Sequence, residues 1–126
     1  MIKTKIVRSL PELKSQAQRA FNKYIKLRDS KRLCISCGKG PEQAGHYIAQ
    51  GSSGALRYNE DNCHGQCVTC NLYMHGNLIE YRMGLVKRIG EKRVKYLEAH
   101  KHDIKKWTRE ELNELIKTYK SKIERG

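Results

Sequence analysis

CISCGKGPEQAGHYIAQGSSGALRYNEDNCHGQCVTCN, residues 34–71, is the stretch on which the fold turns, because it carries two Cys-x-x-Cys pairs: Cys34 with Cys37, and Cys67 with Cys70. A two-residue spacer makes a tight knuckle that aims both sulfurs at one ion, so two such pairs can close a tetrahedron of thiolates around zinc. The 29 residues between the pairs exceed the roughly 15 to 20 of common zinc patterns, so they must form a small structure of their own. Four thiolates leave no open coordination position, so the expected zinc is structural, a staple for a segment rich in glycine. The fifth thiol, Cys63, is expected as a small buried side chain.

Within this stretch the breakers fall at 37–41 and 51–54, and short segments at 45–49 and 55–58 flank the second. Two strands joined by a Gly/Ser turn are the expected reading. Outward from the cysteines the periodicity is helical. A helix is expected from Leu10 or Pro11 to Asp29, with Leu13, Ala17, Ala20, Phe21, Tyr24 and Leu27 at three- and four-residue steps. Shorter helices are expected at 68–75, 77–89 and 91–101, punctuated by Gly76 and Gly90. The last helix opens on Thr108 and Glu111, spaced as a capping box, and carries Leu112, Leu115, Ile116, Tyr119 and Ile123 as an apolar stripe. The stripes of the first and last helices read as core, or as surfaces for a homodimer. The fold class expected is α+β and mostly helical. Residues 1–126 read as one domain: a basic N-terminal helix at 1–33, a core at 34–79 and C-terminal helices at 80–126.

The charge is strongly asymmetric. Lys and Arg number 26 against 13 Asp and Glu, a net +13. Residues 1–33 carry +8, residues 34–79 carry −1 and residues 80–126 carry +6. Two basic arms around a nearly neutral centre are the electrostatic footprint of nucleic-acid binding. No apolar run is long enough to cross a bilayer and the N-terminus lacks the apolar core of a signal peptide, so no membrane partner is expected. Nothing points to a small-molecule cofactor.

The chemistry-bearing residues lie between and just after the cysteine pairs. His46 falls on the expected first strand, Asn62 stands five residues before Cys67, and Asn71 follows Cys70 directly. This order and spacing resembles the HNH, or ββα-metal, nucleases in an H-N-N version, and is similar to the phage resolvase endonuclease VII. A wider set of blocks extends the likeness over residues 14–124: Cys34 to Gly38, Ala44 to Tyr47, Leu56 to His64, Gln66-Cys67, Cys70-Asn71, Gly76-Asn77, Tyr81-Arg82 and Arg88 to Gly90. These resemble the NinG (Rap) recombination endonuclease family of lambdoid phages.

The resemblance implies a zinc-stapled ββα-metal core of treble-clef type, flanked by basic helices. It implies a structure-selective, Holliday junction resolvase-like endodeoxyribonuclease acting on branched recombination intermediates such as Holliday junctions and D-loops, in the cytoplasm of a bacterial host. On that reading His46 is the general base, suited by its imidazole to neutral pH. Asn71 would hold Mg²⁺ or Mn²⁺ against the scissile phosphate, with His75 as a second ligand four residues on. Asn62 would orient His46 across the loop. Gly45 stands where many such enzymes carry an Asp or His ligand. Either fewer groups hold the metal, or His46 is a ligand and His64 the base. Lys14, Arg19, Lys23 and Arg28 in one arm, and Arg82, Lys87, Arg88, Lys105 and Lys106 in the other, would contact DNA backbones. His100 and His102 are expected to contact solvent or phosphate. The competing reading is a non-catalytic, zinc-stabilised module that binds DNA or RNA.

Overall fold

The structure, a computed structural model, describes residues 8–125; residues 1–7 of the first basic arm and Gly126 lie outside the described residues. Helix α1 spans Leu10–Arg28. Ser9 caps it, its Oγ accepting the Glu12 N–H at 3.3 Å, and Pro11 occupies the first turn, where no backbone donor is needed. Helix α4 spans Arg109–Arg125 and starts on a reciprocal cap: Glu111 N–H donates to Thr108 Oγ1 at 3.2 Å and Thr108 N–H to Glu111 Oε1 at 3.1 Å. Leu13, Ala17, Phe21 and Ile25 of α1 pack with Leu112, Ile116 and Tyr119 of α4, and Phe21 meets Tyr119 edge-on with ring centroids 5.1 Å apart. These residues of the two stripes thus serve as core, while Leu27 of the first stripe stays exposed.

Strands β1 (Gln43–His46) and β2 (Cys63–Gln66) pair antiparallel, with Gln43 opposite Gln66 and His46 opposite Cys63. The second strand is therefore not at 55–58. The Gly51–Gly54 bend exists, but residues Gly54–Leu56 form a 3₁₀ turn within a long loop, and pairing resumes only after a second 3₁₀ turn at Glu60–Asn62. All four residues of β2 are buried, so the strand lacks the polar and apolar alternation by which a half-exposed strand is read.

After β2 the chain makes a π-helical turn at Thr69–Tyr73, not a helix over 68–75. His75, Gly76 and Asn77 then all take positive φ, at 50°, 93° and 45°. Helices α2 (Leu78–Ile89) and α3 (Glu91–Ala99) follow, and a second core gathers Tyr81, Leu85, Val94 and Leu97 with Ile35 and Leu56. Helix α2 lies so close to the first cysteine knuckle that a Cβ at Gly84 would sit 2.0 Å from the Ile35 carbonyl oxygen, so only glycine fits.

Between the two cores runs a buried ionic network. Asp29, at the C-terminus of α1 and fully buried, accepts Arg28 Nε at 2.8 Å, Arg28 Nη2 at 3.0 Å and Gly65 N–H at 2.8 Å. Arg28 also donates to the carbonyls of Glu60 at 3.0 Å and Cys63 at 2.8 Å. Arg88 reaches in from α2 to the Leu33 carbonyl at 3.2 Å. The charge is held by hydrogen bonds on every side, as a buried carboxylate requires.

Candidate functional site

The sulfurs of Cys34, Cys37, Cys67 and Cys70 lie within 4.8 Å of one another, with Cys37 and Cys67 at 3.6 Å. A zinc tetrahedron with bonds of about 2.3 Å has sulfur edges of about 3.8 Å, so the four thiols can hold a structural metal such as zinc. Burial opposes ionisation of Cys34, but backbone N–H groups of Cys67, Cys37 and Ser36 overcome it and bring the thiol down to about 7. Cys70 N–H points at Cys67 Sγ at 3.4 Å, and Asn77 Nδ2 donates to Cys70 Sγ at 3.6 Å. Cys63 stands apart, fully buried beneath Phe21, and burial holds it as a neutral thiol.

Beside this cluster opens a cleft of about 540 Å³. His46, Asn71 and His75, three of the residues singled out from the sequence, line it together with Lys101 and His102. His46 comes from the end of β1. Its Nε2 lies 3.0 Å from the Arg57 carbonyl oxygen, an acceptor only, so Nε2 carries the proton and Nδ1 the lone pair. The one neighbour of Nδ1 is the weakly donating Cys63 thiol, 3.7 Å away. Burial depresses the His46 pKa below its ordinary value, outweighing the bond to Arg57. Asn71 lies on the π-helical turn, where its Nδ2 donates to Gln43 Oε1 at 2.8 Å. His75 does not share a helical face with Asn71, because the turn ends at Tyr73. The left-handed run at 75–77 brings it to the cleft instead.

Asn62 does not touch the imidazole of His46. Fully buried, its Oδ1 accepts Ile48 N–H at 2.8 Å, and its Nδ2 donates to the carbonyls of Ile48 at 2.9 Å and Leu56 at 3.2 Å. It pins the two ends of the long loop to each other, and its carbonyl accepts Tyr47 N–H at 2.8 Å, which fixes the residue after His46. His64 points away from the cleft into the Asp29 network. It is 2% exposed, with Nε2 3.0 Å from the Asp61 carbonyl and Nδ1 facing Arg28 at 3.1 Å and Arg88 at 3.3 Å. Burial, then Arg28, drives its pKa down to about 4, and Arg28 and Arg88 both occupy its Nδ1.

The basic residues also divide. Arg28 and Arg88 spend their guanidinium groups inside, on Asp29, His64 and backbone carbonyls. Arg82 is paired with Glu98 and Glu91, and Glu98 also accepts the Tyr47 hydroxyl. Lys105 pairs with Glu111 and lies over the Trp107 ring. Lys14 is half-buried, whereas Arg19, Lys23, Lys87 and Lys106 are exposed. His100 pairs with Asp103.

Three residues around the cleft carry no sequence signal for it. Lys101 and His102 arrive through the segment joining α3 to α4, which Ser53 Oγ holds to the long loop by bonds to the carbonyls of His100 at 2.9 Å and Asp103 at 3.1 Å. Trp107 Nε1 adds a bond to the Gly54 carbonyl at 2.9 Å. Gln66 is the third: a side chain at position 45 would put its Cβ 1.9 Å from Gln66 Oε1 and 3.0 Å from Asn71 Oδ1, so Gln66 fills the space that Gly45 leaves.

Residues 1–125 match the family described as Bacteriophage Lambda NinG protein. Among similar proteins is "Protein ninG" of Escherichia phage lambda, 41% identical over 111 residues covering 86% of this chain and 54% of that protein. "Protein ninG" of Salmonella phage P22 is 40% identical over 111 residues, with the same coverage of 86% and 54%. That of Escherichia phage 933W is 40% identical, covering 86% of this chain and 55% of its own length. The chain thus spans about half the length of these relatives. No solved structure matches it. Among the described residues no helix is long and apolar enough to cross a membrane.

Proposed function

Because the chain belongs to the NinG family, we propose that it is a divalent-metal-dependent endonuclease of the HNH type that cuts branched DNA such as Holliday junctions. The observation that carries the reading is the cleft, which joins a neutral, proton-accepting imidazole to a carboxamide and a second imidazole able to face a cation, with Lys101 and His102 also in its lining. Phosphodiester hydrolysis needs these parts and little else.

His46 takes the proton of the attacking water at Nδ1, and the bond from its Nε2–H to the Arg57 carbonyl holds the ring and stabilises the imidazolium that results. Asn71 and His75 would hold Mg²⁺ or Mn²⁺, which when bound supplies charge neutralisation at the phosphoryl and leaving oxygens. Lys101 and His102, which line the same cleft, donate to the phosphate. Cys34, Cys37, Cys67 and Cys70 would hold a structural zinc at one remove from the cleft, fixing the turn that bears Asn71. The net +13 supplies sequence-independent affinity for phosphate backbones.

The test is to incubate the purified chain with linear, forked and four-way DNA of matched sequence, in Mg²⁺ or EDTA. Cutting that requires both the branch and the metal is expected. Tight binding with no cutting in any divalent ion selects the non-catalytic binding module instead.

A further inference from the structure

Gln66 presents an anomaly beside the cleft. The residue is fully buried, its Nε2 donates to Ser36 Oγ at 2.8 Å and to the Gly76 carbonyl at 2.7 Å, and its Oε1 has no partner. The orientation of the amide is fixed, because a carbonyl such as Gly76 O can face only the nitrogen. Native interiors rarely leave a buried acceptor unmet, and an unmet one calls for an unrecorded ligand or a stated role. Asn71 repeats the pattern: its Nδ2 is spent on Gln43, which turns its Oδ1 toward the same place. That place is the missing side chain of Gly45. The two oxygens lie 1.9 and 3.0 Å from where its Cβ would stand, hence at most 4.9 Å from each other.

We infer that Gln66 Oε1 and Asn71 Oδ1 form a divalent-cation site, in which the Gln66 carboxamide takes over from strand β2 the ligand role that Gly45 cannot fill on β1. An octahedral Mg²⁺ or Mn²⁺ with bonds of about 2.1 Å takes two oxygens about 3 Å apart in cis or about 4.2 Å apart in trans, a spacing this pair can meet. Hard oxygen ligands suit such ions, which keep waters in their other positions and can exchange one for a phosphate oxygen. The glycine follows from the same geometry, since any side chain at 45 would collide with Gln66 Oε1. The competing account is packing alone, with Oε1 resting against the Gly45 Cα hydrogen. This inference rests on the nuclease reading for its use but not for its test.

The test uses the zinc-loaded full chain and Mn²⁺ as probe, with binding followed by electron paramagnetic resonance. Gln66→Ala is expected to weaken Mn²⁺ binding at least tenfold. Gly45→Asp introduced into Gln66→Ala, where the space is now open, should bring affinity back to the parent level or better. Zinc content and circular dichroism establish that each variant is folded. A folded Gln66→Ala with parental Mn²⁺ affinity overturns the inference. Should Gln66→Ala fail to fold, the unaltered chain decides: Mn²⁺ must broaden the side-chain amide resonances of Gln66 and Asn71 before other side-chain amides, and equal broadening throughout overturns the site. Mn²⁺ binding at Gln66 in a chain that cuts no DNA defeats the nuclease reading and leaves the site standing. Metal-dependent cutting with Mn²⁺ affinity indifferent to Gln66 does the reverse.

Discussion

Two histidines one register position apart on paired strands illustrate how environment assigns a role. His46 and His64 are both buried far enough to prefer the neutral form, but His46 lines the cleft with its Nδ1 meeting only the weakly donating Cys63 thiol, whereas Arg28 and Arg88 occupy the Nδ1 of His64. On the proposed nuclease reading the neutral imidazole is the active form of the general base, so activity should rise with pH through the His46 pKa and then level off. Burial places that pKa below the ordinary value near 6.5. The acid limb of kcat/KM is therefore expected below pH 6.5, and His46→Ala should lower turnover by about 10²- to 10⁴-fold with DNA binding kept. A midpoint above pH 7, or full activity in the variant, removes His46 from the mechanism. His64 predicts a change in stability instead. Its folded pKa of about 4 lies below the unfolded value near 6.5, so the unfolded chain binds the extra proton between them. That contribution is complete above pH 6.5 and is lost as pH falls toward 4. Asp29, held below its ordinary value despite burial by Arg28 and the Gly65 N–H, adds a further loss only at lower pH. Urea midpoints should fall from pH 7 to pH 4, and His64→Gln should flatten that slope. An equally steep slope in the variant assigns the acid sensitivity elsewhere.

At the scale of elements, what could be read from the sequence followed from local chemistry. Helices α1, α2 and α3 begin and end within two residues of their expected bounds and α4 starts directly after Thr108, because caps, glycines and apolar periodicity mark them directly. The two cysteine pairs converge as their spacing requires. Strand β2 was not legible, since its pattern answers to α1 and α2 packed on both its faces, and neither helix is near it in sequence. The same holds for Asn62, whose partners are backbone groups of the long loop, and for His64, which meets the Asp61 carbonyl and the Arg28 and Arg88 side chains from α1 and α2. The cleft was half legible. His46, Asn71 and His75 sit near the cysteines, but Lys101 and His102 come from a linker more than 50 residues beyond His46, placed there by Ser53 and Trp107. Gly84 tests the tightest of these packings. Gly84→Ala pushes a Cβ against the Ile35 carbonyl, which is backbone of the first cysteine knuckle and cannot swing aside. It should cost about 1–3 kcal/mol, as overpacking does, and weaken metal retention along with it. Unchanged melting and metal content would show that α2 slides freely on the knuckle.

Over the whole molecule, the basic surface is smaller than the sequence count suggests, and this has a measurable consequence. Of the nine Lys and Arg residues that the sequence offers for DNA contact, Arg28 and Arg88 are turned inward onto Asp29 and carbonyls, and Arg82 and Lys105 face carboxylates. Arg19, Lys23, Lys87 and Lys106 are exposed. Each phosphate neutralised contributes about −0.9 to the slope of log affinity against log salt on B-DNA. Replacing Arg19 and Lys23 together by Ala should therefore make the slope shallower by up to about 2, lower affinity for every DNA shape alike, and leave melting unchanged. Arg28→Ala should do the opposite. It strands a buried carboxylate between α1 and β2, so it is expected to cost about 3–5 kcal/mol of stability, while the salt slope of whatever remains folded stays the same. The measurement is a junction-binding titration from low to high salt beside a melting curve for each variant. A shallower slope for Arg28→Ala without loss of stability would return that arginine to the DNA surface and make the Asp29 network dispensable.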